Sequence, residues 1–289
     1  MDPLDEIVKD IDQFPTLPDV AVQVSSKLSD ENASLDQIAE MISLDQSLAS
    51  RIIQLANSPL FASSRPAESL KPAIFRLGCR EVGVVITTVA VMQAVPPLPP
   101  PYDLRTFWTL ALASAMVSRK LAHDFRYPDP EEAYLAGLVH LMGEVYLAVQ
   151  FTERFERAIK TASGDGLPFS AALTEEFGRD QAEVGARLLT QWNFPIPILE
   201  AVRFQFTPDR SEAEPLLAGI LFAADHICRD VGLGLTDPAY IAGDWMEKLP
   251  MVLEERVERD GHDFQEYVSH TKEQMSAIEE FARSVFSGR

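Results

Sequence analysis

Apolar residues recur every three or four positions over most of the chain, the period of amphipathic helices rather than the alternation of strands. Leu48, Ile52 and Leu55 mark one such face, which Asp45 can cap and Asn57-Ser58-Pro59 ends. Just upstream, Ser34 and Gln37 have the spacing of a capping box, which predicts a helix from there through Leu44. Ser69 and Pro72 open a short helix that Gly78 closes. Residues 81–94 include the β-branched run Val84, Val85, Ile86, Thr87, Thr88 and Val89, which suits a strand; length and helical surroundings make it a helix instead. Thr106 is expected to cap a helix through His123, and Asp129-Pro130 to start another whose apolar residues run to Phe151. Further helices are predicted over 153–163, 170–177, 180–192, 197–206 and 213–231. Near the C-terminus, Phe264, Val268, Thr271, Met275, Ile278, Ala282 and Val285 draw a seam along one more helix. That seam suits docking on the protein's own core, with an oligomer contact as the alternative. No Asn-Gly or Asp-Gly hairpin joins two alternating runs, so the expected fold class is all-α, in two bundles.

Five prolines, Pro96, Pro97, Pro99, Pro100 and Pro101, can neither continue a helix nor supply strand donors. They divide the chain into an N-terminal helical subdomain (1–95), a Pro-rich linker (96–103), a second helical subdomain (104–235) and a helical extension (236–289). The uncharged run from Val82 to Tyr102 leaves roughly 14 apolar positions before the prolines, short of the ~20 a membrane span needs. Against 25 basic residues stand 44 acidic ones, a net charge of −19. Such a surface repels phosphate backbones and anionic lipid, so neither nucleic acid nor membrane is expected as a partner, and a basic protein surface is favoured. Cys79 and Cys228 are far from any CxxC spacing, which excludes a disulfide framework and a cysteine-rich zinc site and suits a reducing compartment. With acids at Asp2, Asp5 and Glu6 instead of the bases of an export signal, the expected location is the cytoplasm.

The chain contains no phosphate-binding glycine loop with a following Lys-Ser/Thr, no Gly-x-Ser-x-Gly and no His-Glu-x-x-His. What remains is a set of ionisable residues in apolar company: His140, Glu144 four positions on, and Asp225. Buried, they must be paired, metal-bound or neutral. Arg203 could pair with Asp225 or Glu144, or hold an anion. Asn57 and Ser58 read as a helix stop, with ligand contact as the alternative. Trp108 and Trp192 lie on apolar faces as core anchors. Two His-Asp dipeptides, His123-Asp124 and His262-Asp263, read as solvated turn residues.

Four stretches in order, Phe14-Pro15-Thr16-Leu17-Pro18, Ile42-Ser43-Leu44-Asp45, Leu55-Ala56-Asn57-Ser58-Pro59-Leu60-Phe61 and Ala73-Ile74-Phe75-Arg76-Leu77-Gly78, resemble successive signatures of the HDOD family, the HD-related output domain of bacterial signalling proteins. The runs from Glu132 to His140 and from Val184 to Pro197 extend the resemblance, which covers about residues 13–230; from about 235 onward no signature matches. It implies an N-terminal helical bundle packed on an HD-like helical bundle. The wider HD superfamily holds divalent metal with a histidine, a His-Asp dipeptide and a distal aspartate. Those positions fall here near Leu110, on His140-Leu141 and on Asp225, and the family's later His-His pair falls on Gln205-Phe206. A lysine that usually follows the dipeptide is Glu144, and no Lys or Arg occurs from Glu131 to Thr152. Two of four ligands survive, so the resemblance implies no catalytic residues, no metal and no cofactor. It implies a non-catalytic bacterial signal-transduction protein that acts by binding a signalling or regulatory protein, with a cleft between the bundles as candidate contact and Asn57, Ser58, Arg203 and Gln205 as candidate binding residues. Two alternatives stay open: a phosphohydrolase using an altered site of His140, Glu144 and Asp225, and a nucleotide or metabolite sensor acting through Arg203.

Overall fold

A computed structural model describes residues 3–18, 34–57, 66–100, 104–233 and 243–286. Among these, fourteen α-helices and no strand are present. They are α1 (Pro3–Ile7), α2 (Leu35–Ser43), α3 (Gln46–Ala56), α4 (Leu70–Ala94), α5 (Leu104–Asp124), α6 (Pro130–Val139) and α7 (Met142–Gln150). There follow α8 (Thr152–Asp165), α9 (Phe169–Phe177), α10 (Gln181–Gln191), α11 (Ile196–Arg203), α12 (Pro215–Asp230), α13 (Met251–Asp260) and α14 (Phe264–Phe286). The chain divides into two compact units, a larger one of residues 1–14 with 97–275 and a smaller one of 15–96 with 276–289.

In the smaller unit, α2 packs on α3 and α4. The capping box predicted from Ser34 and Gln37 forms: the Gln37 amide donates to Ser34 Oγ at 3.2 Å, and the Ser34 amide to Gln37 Oε1 at 3.5 Å. Ser34→Ala is therefore expected to lower stability by about 1 kcal/mol, read as the shift in a urea denaturation midpoint. Asp45 caps α3 through the Leu48 amide at 2.9 Å. Gly78 adopts φ +77° and breaks the path of α4, as its helix-closing role requires. Ser69 occupies the N-cap position of α4, but its side chain makes no capping bond. The β-branched run is helical. Val84, Val85, Ile86 and Val89 are buried on it, and the Thr88 hydroxyl donates to the Val84 carbonyl at 2.8 Å, so burial overrides strand propensity.

The larger unit is organised on α5, which buries thirteen residues including Trp108 and packs against α6 and α12. It starts at Leu104, so Thr106 lies within its first turn and does not cap it. At its other end, Arg126 takes φ +56°, with the Tyr127 amide bonding to the Ala122 carbonyl at 2.8 Å and the Arg126 amide to that of His123 at 3.2 Å, a Schellman closure without glycine. The run expected as one helix from 130 to 151 is two, interrupted at His140 and Leu141. Nothing in local propensity stops it there. The His140 ring turns back onto the Gly137 carbonyl at 2.6 Å, competing for the acceptor that a continued helix would use.

Two glycines set how closely these helices approach. A Cβ on Gly137 would lie 2.6 Å from the Ser114 carbonyl oxygen of α5, and one on Gly143 would lie 1.8 Å from the Gln181 carbonyl oxygen of α10. Phe14 stacks on Trp192 at 6.4 Å and meets Tyr146 edge-on at 5.4 Å, while the Tyr146 hydroxyl donates to the Ile7 carbonyl.

Trp245, Phe264 and Phe125 form an aromatic chain with centroids 5.0 and 6.2 Å apart, seating the segment after residue 243 on the end of α5. Neither dipeptide there is simply solvated. Asp124 accepts from the Tyr267 hydroxyl at 2.7 Å, and the His262 ring packs 4.8 Å from Phe125, because α14 returns over the turn that follows α5. Along α14, Phe264, Thr271 and Ile278 of the predicted seam are buried within the single chain; the side chains of Ala282 and Val285 lie outside the described set. No single helix among the described residues is long and apolar enough to cross a membrane.

Candidate functional site

Helices α6, α11 and α12 pack against one another, and the candidate site is centred on His140, where α6 ends. This residue caps the C-terminus of α6 and is 1% exposed. Its Nδ1 faces the Gly137 carbonyl oxygen, and its Nε2 lies 3.3 Å from Asp225 Oδ1 on α12. One turn further along α12, Arg229 Nε donates to Asp225 Oδ2 at 2.7 Å. Gln205, buried just beyond α11, donates its Nε2 to the carbonyl oxygens of His140 (3.2 Å) and Val202 (3.0 Å) and so fixes the chain at the break between α6 and α7. Burial pushes the Asp225 carboxyl up, but the Arg229 charge and the His140 hydrogen bond outweigh it and hold the group well below the usual carboxylate range. Burial lowers the pKa of the His226 ring, which lies on Phe222, and pushes the Cys228 thiol up to about 12.

The structure thus joins His140, Asp225 and Gln205 from the sequence-predicted set. It does not add Glu144. That carboxylate is buried on α7 with the Gln181 amide of α10 at 3.5 Å, and the break after α6 cancels the i,i+4 stacking that would have placed it beside His140. Among the described residues no group of three His, Cys, Asp or Glu side chains is arranged to hold a metal ion. Arg203 pairs with neither Asp225 nor Glu144. It is exposed on α11, in a 3.2 Å ion pair with Glu200. The arginine that does reach Asp225 is Arg229, which the sequence reading missed, although the Asp-x-x-x-Arg spacing on one helix was a usable signal.

In the smaller unit both ends of the Asn57 amide are already bonded within the fold. Its Nδ2 donates to the Ala67 carbonyl at 2.8 Å, and its Oδ1 accepts from the Ala67 amide at 2.7 Å and from Arg76 at 3.2 Å. Ser58 lies outside the described residues.

The HD arrangement implies a divalent cation, and the donors here do not fit one. Leu110 and Leu141 are buried hydrocarbons with no lone pair. Of the two surviving donors, the carboxylate is already engaged by a guanidinium. One imidazole and one occupied carboxylate fall short of the oxygen-rich or three-ligand sets that catalytic Mg²⁺, Mn²⁺ or Zn²⁺ sites use.

A family model of the HDOD domain matches residues 14–208, more than half of the chain. The chain belongs to the HDOD family. Its fold is similar to the crystal structure of an HDOD domain protein of unknown function from Geobacter sulfurreducens, with a TM-score of 0.85 and 24% identity over 98% of this chain and 97% of the other. It is also similar to a protein of Shewanella amazonensis SB2B provisionally named a phosphohydrolase, with a TM-score of 0.75 and 24% identity, covering 96% and 97% of the two chains. Among curated sequences, an uncharacterized protein of Treponema pallidum (strain Nichols) is 24% identical over an alignment of 227 positions that covers 74% of this chain and only 42% of that relative's length.

Proposed function

We propose that this chain is a non-catalytic signalling or regulatory protein whose output is binding to a protein partner in the cytoplasm. The observation that carries this reading is Asp225: the one carboxylate left at an HD ligand position is paired with Arg229 and His140 inside the fold, while the residues at two other ligand positions, Leu110 and Leu141, are buried hydrocarbons. Phosphoryl transfer also needs cations that neutralise developing charge, and the stretch from Glu131 to Thr152 carries none. With hydrolysis unsupported, the net charge of −19 favours a partner with a basic surface, for which association is steered electrostatically.

Two measurements on the purified full chain test this. Phosphomonoester, phosphodiester and nucleotide substrates are incubated with Mg²⁺, Mn²⁺ or Fe²⁺, and the expected turnover is no greater than that of His140→Ala. The immobilised protein is expected to retain a protein from the source cell's extract at low ionic strength and release it at about 0.5 M salt, where screening reaches only a few ångströms. Turnover that His140→Ala and chelation both abolish would establish the phosphohydrolase instead; retention of a nucleotide or metabolite with no protein bound would establish the sensor.

A further inference from the structure

We propose that the Arg229 guanidinium has taken over the role of the divalent cation in the HD site, so that the His140–Asp225 pair is ordered by a charge the chain carries itself and is closed to metal. The inference deepens the reading above and rests on it. Three features lead to it. A carboxylate 5% exposed needs a compensating positive charge, and in an HD site the metal supplies that charge. Here Arg229 lies one helical turn after Asp225 on α12, with its Nε 2.7 Å from Oδ2, so the compensation is built into a single rigid element. The remaining oxygen, Oδ1, is spent on His140 Nε2 at 3.3 Å, and the other ring nitrogen on the Gly137 carbonyl, so the nitrogen a metal would take faces the carboxylate directly.

An arginine differs from a bound ion in ways that matter for regulation. It is always charged, it is present at a fixed ratio of one per chain, and its occupancy does not vary with metal supply. It also repels a dication approaching the same carboxylate. The side chains at the other two ligand positions, Leu110 and Leu141, are consistent with this exchange, since a site that no longer takes metal tolerates hydrocarbon there.

The test is a Mn²⁺ titration of the full-length protein, followed by the electron paramagnetic resonance signal of free Mn²⁺ and by the thermal midpoint. Wild type is expected to take up no more Mn²⁺ than its His140→Ala variant, the surface carboxylates being common to both, and its midpoint is expected to respond to Mn²⁺ and chelator no more than that variant's does. Arg229→Ala, with the guanidinium removed, is expected to melt lower and to bind Mn²⁺ at millimolar concentration, and its midpoint is expected to rise as the ion is added. The double variant with His140→Ala is expected to lose that binding. Arg229→Gln, which removes the charge but leaves a shorter side chain with an N–H donor one helical turn from Asp225, is run beside it in case the alanine variant does not fold, and the same gain is expected. Methylguanidinium is expected to raise the midpoint of Arg229→Ala and to compete with Mn²⁺. If neither neutral variant binds more Mn²⁺ than wild type, the replacement is wrong while the non-catalytic reading stands. If wild type itself binds Mn²⁺ in a way that His140→Ala removes, both fail.

Discussion

Asp225→Ala is expected to destabilise the larger unit by about 3 kcal/mol, toward the lower end of what breaking a buried pair costs, because Arg229 keeps some contact with water. Removing the carboxylate takes an acceptor from two groups at once. Arg229, 18% exposed, loses its 2.7 Å acceptor, and His140 Nε2, inside the fold, loses the oxygen that it faces at 3.3 Å. The folded carboxyl is held below its ordinary range, so its contribution to stability is fully present above the unfolded-state value of about 4 and is lost as pH falls below it. Urea denaturation at neutral pH should therefore show the full deficit of Asp225→Ala. At about pH 3 wild type and Asp225→Asn should approach one another, since protonation begins to remove from the wild type what the substitution has already removed. A wild-type stability indifferent to pH in this interval, or an alanine variant as stable as wild type, would show that the pair is not what orders this junction of helices.

Gly143→Ala is expected to be as damaging, for a reason unrelated to charge. The new methyl group would lie 1.8 Å from the Gln181 carbonyl oxygen and 2.7 Å from the Gly185 amide nitrogen, both backbone atoms that cannot swing aside. Helices α7 and α10 would have to separate, which places the cost at about 3 kcal/mol or more, at or above the upper end for overpacking. Gly164→Ala is the control. Beyond its chain neighbours and the backbone of its own helix turn nothing lies within 4 Å of the added methyl, and the residue sits inside α8 without a positive φ, so it is expected to stabilise by about 0.5–1 kcal/mol. Thermal melts of the two variants should therefore shift in opposite directions. Equal shifts would mean that the close approach of α7 and α10 is not maintained in solution.

What could be read from the chain followed the range of the forces involved. Caps are local, and Ser34, Asp45 and Asp129 all cap as their spacing predicts. Helical periodicity is local too, which is why the all-α class and most boundaries were legible. Tertiary contacts are not. The stop at His140 has no proline or glycine at the break, and it depends on a ring that reaches Gly137 and on a partner 85 residues away. Missing it made Glu144 look like a neighbour of His140. The direction of Arg203 depended on which face of α11 meets α6 and α12, and the sequence reading aimed it inward, whereas the inward arginine is on α12. The Asp124 and His262 environments likewise come from the return of α14 over the end of α5, a contact spanning 143 residues in sequence. Of the site itself, His140 and Asp225 could be found from their place among apolar residues and Gln205 only through the family resemblance, and two ionisable groups in such company already required a partner to be found.

The most direct check on the electrostatic closure of this site is anomalous diffraction from crystals of the full chain soaked in manganese. The account predicts no manganese peak within coordination distance of His140 Nε2, with the Arg229 guanidinium still on Asp225. A peak bridging His140 and Asp225, with Arg229 displaced, would contradict it.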